Sequence, residues 1–279
     1  MSGFSRSFEL HAGPIGLRIE CDGDAEELSR AEARARKAFP PILPSLADEL
    51  ETLRRKIEID KPPPTLSGRV ARRMYEAALP FADEFVTPMA AVAGAVADYM
   101  LEQIARNTRL RRAFVNNGGD IAIHLNPGTS MRLALVGNIA APAVDGLIRI
   151  DAGSHVRGVA TSGWRGRSFS FGIADSVTVL ARTAATADVA ATLVANAVNI
   201  DDPAIVRRPA RDLLPDSDLG DMAVTVGVPP LSRAKIEAAL DRGEVRAKHL
   251  VDEGRIEAAA LFLGRETRLV DPRGMLAAG

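Results

Sequence analysis

Residues 158–199 read GVATSGWRGRSFSFGIADSVTVLARTAATADVAATLVANAVN, and their order sets the fold around them. A small-residue turn, Thr161-Ser162-Gly163, comes first. An apolar strand follows over Asp175–Ala181, with Ser176–Leu180 apolar enough to be central in a sheet. Thr183 is placed to cap a helix in which Asp188 and Thr192, four residues apart, share a face. The turn offers a hydroxyl and backbone N–H groups to an anion. A carboxylate and a hydroxyl are both hard oxygen ligands suited to magnesium. Spacing alone leaves the plain reading open as well, since an acid early in a helix is favoured by the helix dipole. Ser162 lacks the G-x-S-x-G surroundings of a nucleophile elbow. On local chemistry the stretch reads as a nucleotide or cofactor site and no more.

Working upstream, RAFVNNGGDIAIHL (Arg112–Leu125) reads as strand, tight turn, strand, because Asn-Asn-Gly-Gly tolerates positive φ. The same glycines would let a ligand lie against the backbone, with Asp120 beside it. Before this, Thr87-Pro88 opens a helix, MAAVAGAVADYMLEQIA, rich in small residues that permit close approach of another backbone or a flat ligand. Asp98 within it reads as a surface charge. Residues 7–21 alternate around Gly13-Pro14 as a hairpin. Asp24 opens a charged helix that Pro40, Pro41 and Pro44 end, and a second helix is expected over Leu46–Ile57 before the Pro62-Pro63-Pro64 break. Another is expected over Ser67–Leu79.

Between the two motif regions, Met131–Ile139, Gly146–Asp151 and His155–Ala160 read as an antiparallel meander punctuated by Gly137, Pro142 and Gly153. His124 and His155 have no partner at metal-ligand spacing and read as structural or surface residues. Downstream, 201–220 reads as a polar connection, Ser232–Asp252 as a helix interrupted near Gly243, and Ala258–Leu263 with Thr267–Val270 as strands. The tail after Asp271 is expected to fray.

The 35 basic and 36 acidic residues nearly cancel, which argues against nucleic acid as a partner. The cluster Arg106, Arg109, Arg111 and Arg112 reads as a solvated helix end. Cys21 is the only cysteine, so an internal disulfide cannot form. No stretch has the apolar length of a secretory signal or a membrane span, and the expected location is the cytoplasm, away from any membrane.

Four pieces in this order, MAAVAGAVAD (Met89–Asp98), GGDI (Gly118–Ile121), ATSG (Ala160–Gly163) and SVTVLARTAATADVAAT (Ser176–Thr192), resemble the ApbE superfamily, which contains the FAD:protein FMN transferases. The forms TPMAAVAGAVAD and SFSFGIADSVTV are closer to a cytoplasmic ApbE-like branch of bacterial and archaeal proteins. The resemblance implies an α+β fold, a mostly antiparallel sheet with packed helices, in one domain over 1–279, with an N-terminal subdomain over 1–62 and a family-like core over about 85–200. It implies that Asp188 and Thr192 bind magnesium. Asn117, Gly118, Gly119 and Asp120, with Thr161, Ser162 and Gly163, would line a pocket for FAD or another flavin, a pterin or a nucleotide-type cofactor. The transferases carry a His-Ile-Ile-Asp-Pro-x-Thr-Gly motif between ATSG and SVTV, where this chain has WRGRSFSFGIAD. The resemblance and this departure from it leave three readings: cofactor binding with magnesium-dependent phosphate chemistry, FMN transfer to a protein Thr or Ser, or a non-catalytic scaffold with a protein partner in a cofactor-biosynthesis pathway. No catalytic residue is assigned.

Overall fold

The computed structural model describes residues 4–137 and 144–278. The chain is α+β, with strands paired antiparallel throughout the registers observed. It forms two compact units, one built from the chain up to Met131 with Ile150–Ala160 and Ala181–Val189, the other from Arg132–Arg149, Thr161–Leu180 and everything after Ala190.

In the first unit, β1 (Phe4–Ala12) and β2 (Ile15–Gly23) make the expected hairpin at Gly13-Pro14. Strand β2 pairs with β3 (Arg112–Asn117), β3 with β4 (Asp120–Leu125), and β4 with β7 (Gly158–Ser162). Alternation puts Ile15, Leu17, Ile19 and Cys21 inward, and each of the three aliphatic side chains stabilises the unit by about 1.5–3 kcal/mol. Burial pushes the Cys21 thiol up to about 12, with Glu20 adding to it, so the thiol is inert at neutral pH.

Helices α1 (Ala25–Ala38), α4 (Arg69–Ala78) and α5 (Val92–Ala105) pack together, and α5 lies against β3 and β4. The helix expected over Leu46–Ile57 is instead split into α2 (Ile42–Asp48) and α3 (Leu50–Leu53). Glu49 breaks it. Its backbone leaves the helical region at φ −109°, ψ 6°, and its carboxylate accepts the N–H groups of Ser67 (2.6 Å) and Gly68 (3.1 Å) at the start of α4. Thr87 takes the cap position before a short 3-10 turn, Pro88–Ala91, without a side-chain capping bond. His124 is held by the Leu110 carbonyl at 3.3 Å, and burial moves its pKa down.

The arginine cluster is mostly paired. Arg111 and Arg112 meet Asp22 at 2.7 and 3.0 Å, and Arg109 meets Glu27 at 3.8 Å. Burial alone would raise the Asp22 pKa, but the hydrogen bonds and charges of the two arginines outweigh it and hold the carboxyl below its ordinary value. A carboxylate with a depressed folded pKa adds stability that is complete above its unfolded pKa of about 4 and is lost as pH falls through the folded value. Asp22→Asn is therefore expected to cost about 1–2 kcal/mol at pH 7, a figure discounted because both arginines are nearly half exposed. Denaturant melts check it. The gap between variant and wild type should narrow as pH falls below about 4 and through the lowered folded value, where the carboxylate takes up its proton; a gap that does not narrow would contradict the pairing.

In the second unit, β8 (Ser176–Ala181) pairs with β11 (Ala258–Leu263), and β11 with β12 (Glu266–Val270). All six residues of β8 are buried, as its apolar run predicts for a central strand. Helix α8 (Arg233–Asp252) packs on β11 and β12 and runs without a break. Gly243 does not interrupt it because the position is a packing contact: a Cβ there would lie 2.3 Å from Val198 Cγ2 and 2.8 Å from Leu261 Cδ2.

Strands β5 (Ser130–Leu135), β6 (Gly146–Asp151) and β13 (Leu276–Ala278) form a small sheet. The tail therefore does not fray, and the expected meander is divided, since β7 pairs with β4. Residues 138–139, the end of the expected strand Met131–Ile139, and Pro142 lie outside the described residues. The stretch 201–220 is more than a connection. It contains β9 (Val206–Pro209), which pairs with β10 (Ala223–Gly227), and a turn of helix, α7 (Ala210–Leu213). Among the described residues no helix is long and apolar enough to cross a membrane.

Candidate functional site

Helix α6 (Ala184–Ala197) starts where the sequence places it, with Thr183 Oγ1 accepting the N–H of Thr186 at 3.1 Å. The first N–H groups are satisfied from elsewhere. Asp98 on α5 accepts the N–H groups of Ala184 at 3.0 Å and Ala185 at 2.9 Å, completing the cap across the unit. Burial raises the Asp98 pKa; these two hydrogen bonds and the charge of Arg73 oppose the rise without cancelling it. Asp98 is thus a helix cap, not the surface charge expected. Its sequence signal was isolation, the only charged residue between Met89 and Leu101 in a helix otherwise made of small and apolar residues.

One turn before Asp98, Gly94 brings the two helices together. Its missing side chain admits the start of α6, and its N–H donates to Asp188 Oδ2 at 3.0 Å. A second backbone donor, Ala93, also acts on Asp188. These bonds stabilise the carboxylate, but burial and then the charge of Asp120 overcome them and push its pKa well above the ordinary value; Asp98 adds a smaller repulsion. Asp120 is itself buried, 8% exposed, at the first position of β4. The first unit therefore brings Asp120 and Asp188 into electrostatic range of each other. This pairing joins the GGD turn to the α6 acid.

The rest of the turn has a structural explanation. Gly118 and Gly119 take φ of 68° and 118°, as a two-residue hairpin turn demands. The Gly119 N–H donates to Asn116 Oδ1 at 2.9 Å. Asn117 is buried, and its Nδ2 donates to the Ala93 carbonyl at 3.1 Å, so it fixes β3 to the segment that orients Asp188.

Thr161, Ser162, Gly163 and Thr192 belong to the second unit. Thr161 Oγ1 hydrogen-bonds Thr178 Oγ1 at 2.8 Å on β8. Gly163 has φ 156°, and a Cβ there would stand 2.6 Å from the Asp175 carbonyl oxygen. Asp175, which the sequence places just ahead of the strand, is 6% exposed and accepts Arg165 Nε at 2.7 Å and the Gly264 N–H at 2.7 Å. Arg165 and Gly264 carry no signal of their own in the sequence. Ser162 and Thr192 are both partly exposed.

Among the described residues no group of three or more His, Cys, Asp or Glu side chains could hold a metal alone. Asp120 and Asp188 are two carboxylates whose charges act on each other, and an acid pair of this kind could take a divalent cation. Magnesium takes one or two carboxylates and fills its shell with water and ligand phosphate, so a third protein acid is not required.

A family model described as AbpE bacteria matches residues 2–269. A UPF0280 protein of Methanothrix thermoacetophila is 34% identical over 219 residues, covering 75% of this chain and 84% of that relative. A UPF0280 protein of Methanopyrus kandleri is 37% identical over 169 residues, 58% of this chain and 64% of that one. Among solved structures, the apo form of the flavinyl transferase ApbE of Pseudomonas stutzeri superposes with a TM-score of 0.51 at 11% identity, over 96% of this chain and 94% of that chain. That last likeness is one of fold.

Proposed function

Because the chain belongs to the family described as AbpE bacteria, we propose that it binds a flavin or a related aromatic cofactor bearing phosphate or diphosphate, with magnesium held at Asp120 and Asp188 of the first unit. One observation carries the reading. Asp188 is oriented by backbone N–H groups and set against a second acid, Asp120. Such an arrangement costs folding energy, and a cation with a phosphate ligand offsets that cost.

Gly118 and Gly119 would give the ligand access to backbone at the turn beside Asp120, and Asn117 would act by positioning. The ion, when bound, supplies charge neutralisation to a phosphate group. The flavin side of the reading is supported by the family and by the fold shared with a protein named a flavinyl transferase.

Calorimetry with FAD, FMN and ADP, each with and without magnesium, tests it. Binding is expected to require magnesium for at least one of them. Asp188→Ala should weaken it by at least about tenfold, the loss that even outer-shell partners of a metal produce. Affinity indifferent to both the metal and the substitution would remove the magnesium site.

A further inference from the structure

The segment after Gly163 has no part in the reading above. It folds as a loop closed by the Trp164 N–H on the Ala174 carbonyl at 3.0 Å. It delivers Arg165 to a cavity of about 550 Å³ within the second unit. That volume falls in the range of small-molecule pockets, roughly 300–1,000 Å³. One wall is apolar, formed by Val228, Pro229, Pro230 and Leu231 ahead of α8.

Arg165 is fixed in direction and in plane. Its Nε is held by buried Asp175 at 2.7 Å, Asp175 is held in turn by the Gly264 N–H, and the guanidinium centre stacks 4.4 Å from the Trp164 ring centroid. Among the described residues nothing engages its Nη1 or Nη2. A guanidinium with one edge anchored and the other free is preorganised for a carboxylate or phosphate, which it binds through two parallel hydrogen bonds. Arg265 also lines the cavity, is exposed, and has no ion-pair partner among the described residues. Arg233, the third cation there, is shared between Glu237 (2.8 Å) and Glu266 (3.6 Å).

We propose that this cavity binds a small organic oxyanion, a carboxylate or phosphate ester on an apolar body, with Arg165 as the anchor and Arg265 as a second cation. The proposal uses no residue of the Asp120–Asp188 site and needs no metal. WRGRSFSFGIAD, the stretch that departs from the transferase motif, then builds a binding wall of its own.

The single tryptophan of the chain, Trp164, lies under Arg165 and reports on the site. The full chain is titrated with phenyl phosphate, benzoate and inorganic phosphate in magnesium-free buffer, following Trp164 emission. A saturable change with phenyl phosphate or benzoate is expected, and the tighter of the two identifies the oxyanion. Inorganic phosphate should bind about tenfold more weakly, for want of the apolar contact. Arg165→Gln should weaken the organic probe by about tenfold or more, and Arg265→Gln severalfold. Since Arg165→Gln leaves buried Asp175 without its cation and can unfold the loop, Val228→Phe carries the same expectation by filling the cavity with Arg165 in place. No saturable change with either organic probe would overturn the proposal, as would equal affinity for inorganic phosphate, or unaltered binding in both Arg265→Gln and Val228→Phe.

Discussion

Replacing Gly94 with alanine is expected to destabilise the protein by about 3 kcal/mol, although the same change at an exposed helical glycine would stabilise it by about 1 kcal/mol. A Cβ at this position would stand 2.3 Å from the Ala184 carbonyl oxygen, 2.5 Å from its carbon and 2.7 Å from the Ala185 nitrogen. These are backbone atoms and cannot rotate aside. Helix α5 and the first turn of α6 would have to separate, lengthening the Gly94 N–H bond to Asp188 and both bonds from Asp98. The sign separates packing from propensity. Denaturant unfolding of Gly94→Ala that gives an unchanged or raised midpoint would show that the close approach carries no energetic weight. The same variant is expected to weaken magnesium-dependent cofactor binding, because it displaces the group that orients Asp188.

Asp98→Ala is expected to cost about 2 kcal/mol. Two hydrogen bonds to a carboxylate contribute about 1.5–3 kcal/mol each, and removing the acid also leaves two donors at a helix start unsatisfied. Against this, the raised pKa of Asp98 means that burying its charge outweighs what the bonds return, so deleting the charge recovers part of the loss. Asp98→Asn separates the two effects. It keeps one acceptor oxygen without the charge and should fall between wild type and alanine. Thr183 still caps Thr186 in either variant, so α6 frays at its first turn and does not unfold. Thermal melts of the pair give the order. Asparagine no more stable than alanine would mean that the retained acceptor oxygen does not restore the cap.

Legibility along the chain followed the range of the forces involved. The hairpin at Gly13-Pro14, the GGD turn and strand β8 depend on local periodicity and turn chemistry, and residues within a few positions specify them. Strand β9 lies in the stretch 201–220, which reads as a connection because the strand is four residues long, half of it arginine, and its partner β10 lies beyond that stretch. Helix α8 was expected to break at Gly243 because propensity counts glycine as a weak point. In the folded chain that glycine is where Val198 and Leu261 approach. The end of the chain was expected to fray for want of hydrophobic pattern, but β13 gains its stability from pairing with β6.

The candidate site divides in the same way. Asp120 and Asp188 were identifiable one by one, and the ordered motifs pointed to a family that the comparison over residues 2–269 bears out. That the two acids act on each other was not visible. Neither was the cap formed by Asp98, whose partners are 86 and 87 residues away. Nothing near Arg165 marks it as an anchored cation, because Asp175 lies ten residues on and Gly264 donates from 89 residues beyond Asp175.

By itself, then, the sequence determined most of the element types, the α+β class and the family, since each rests on short-range pattern or on motif order. Only the tertiary structure decided which carboxylate caps a helix, which pair repels, and which arginine is pinned beside a cavity. Burial, charge coupling and hydrogen bonding act through distances in space, and spacing along the chain does not encode those distances.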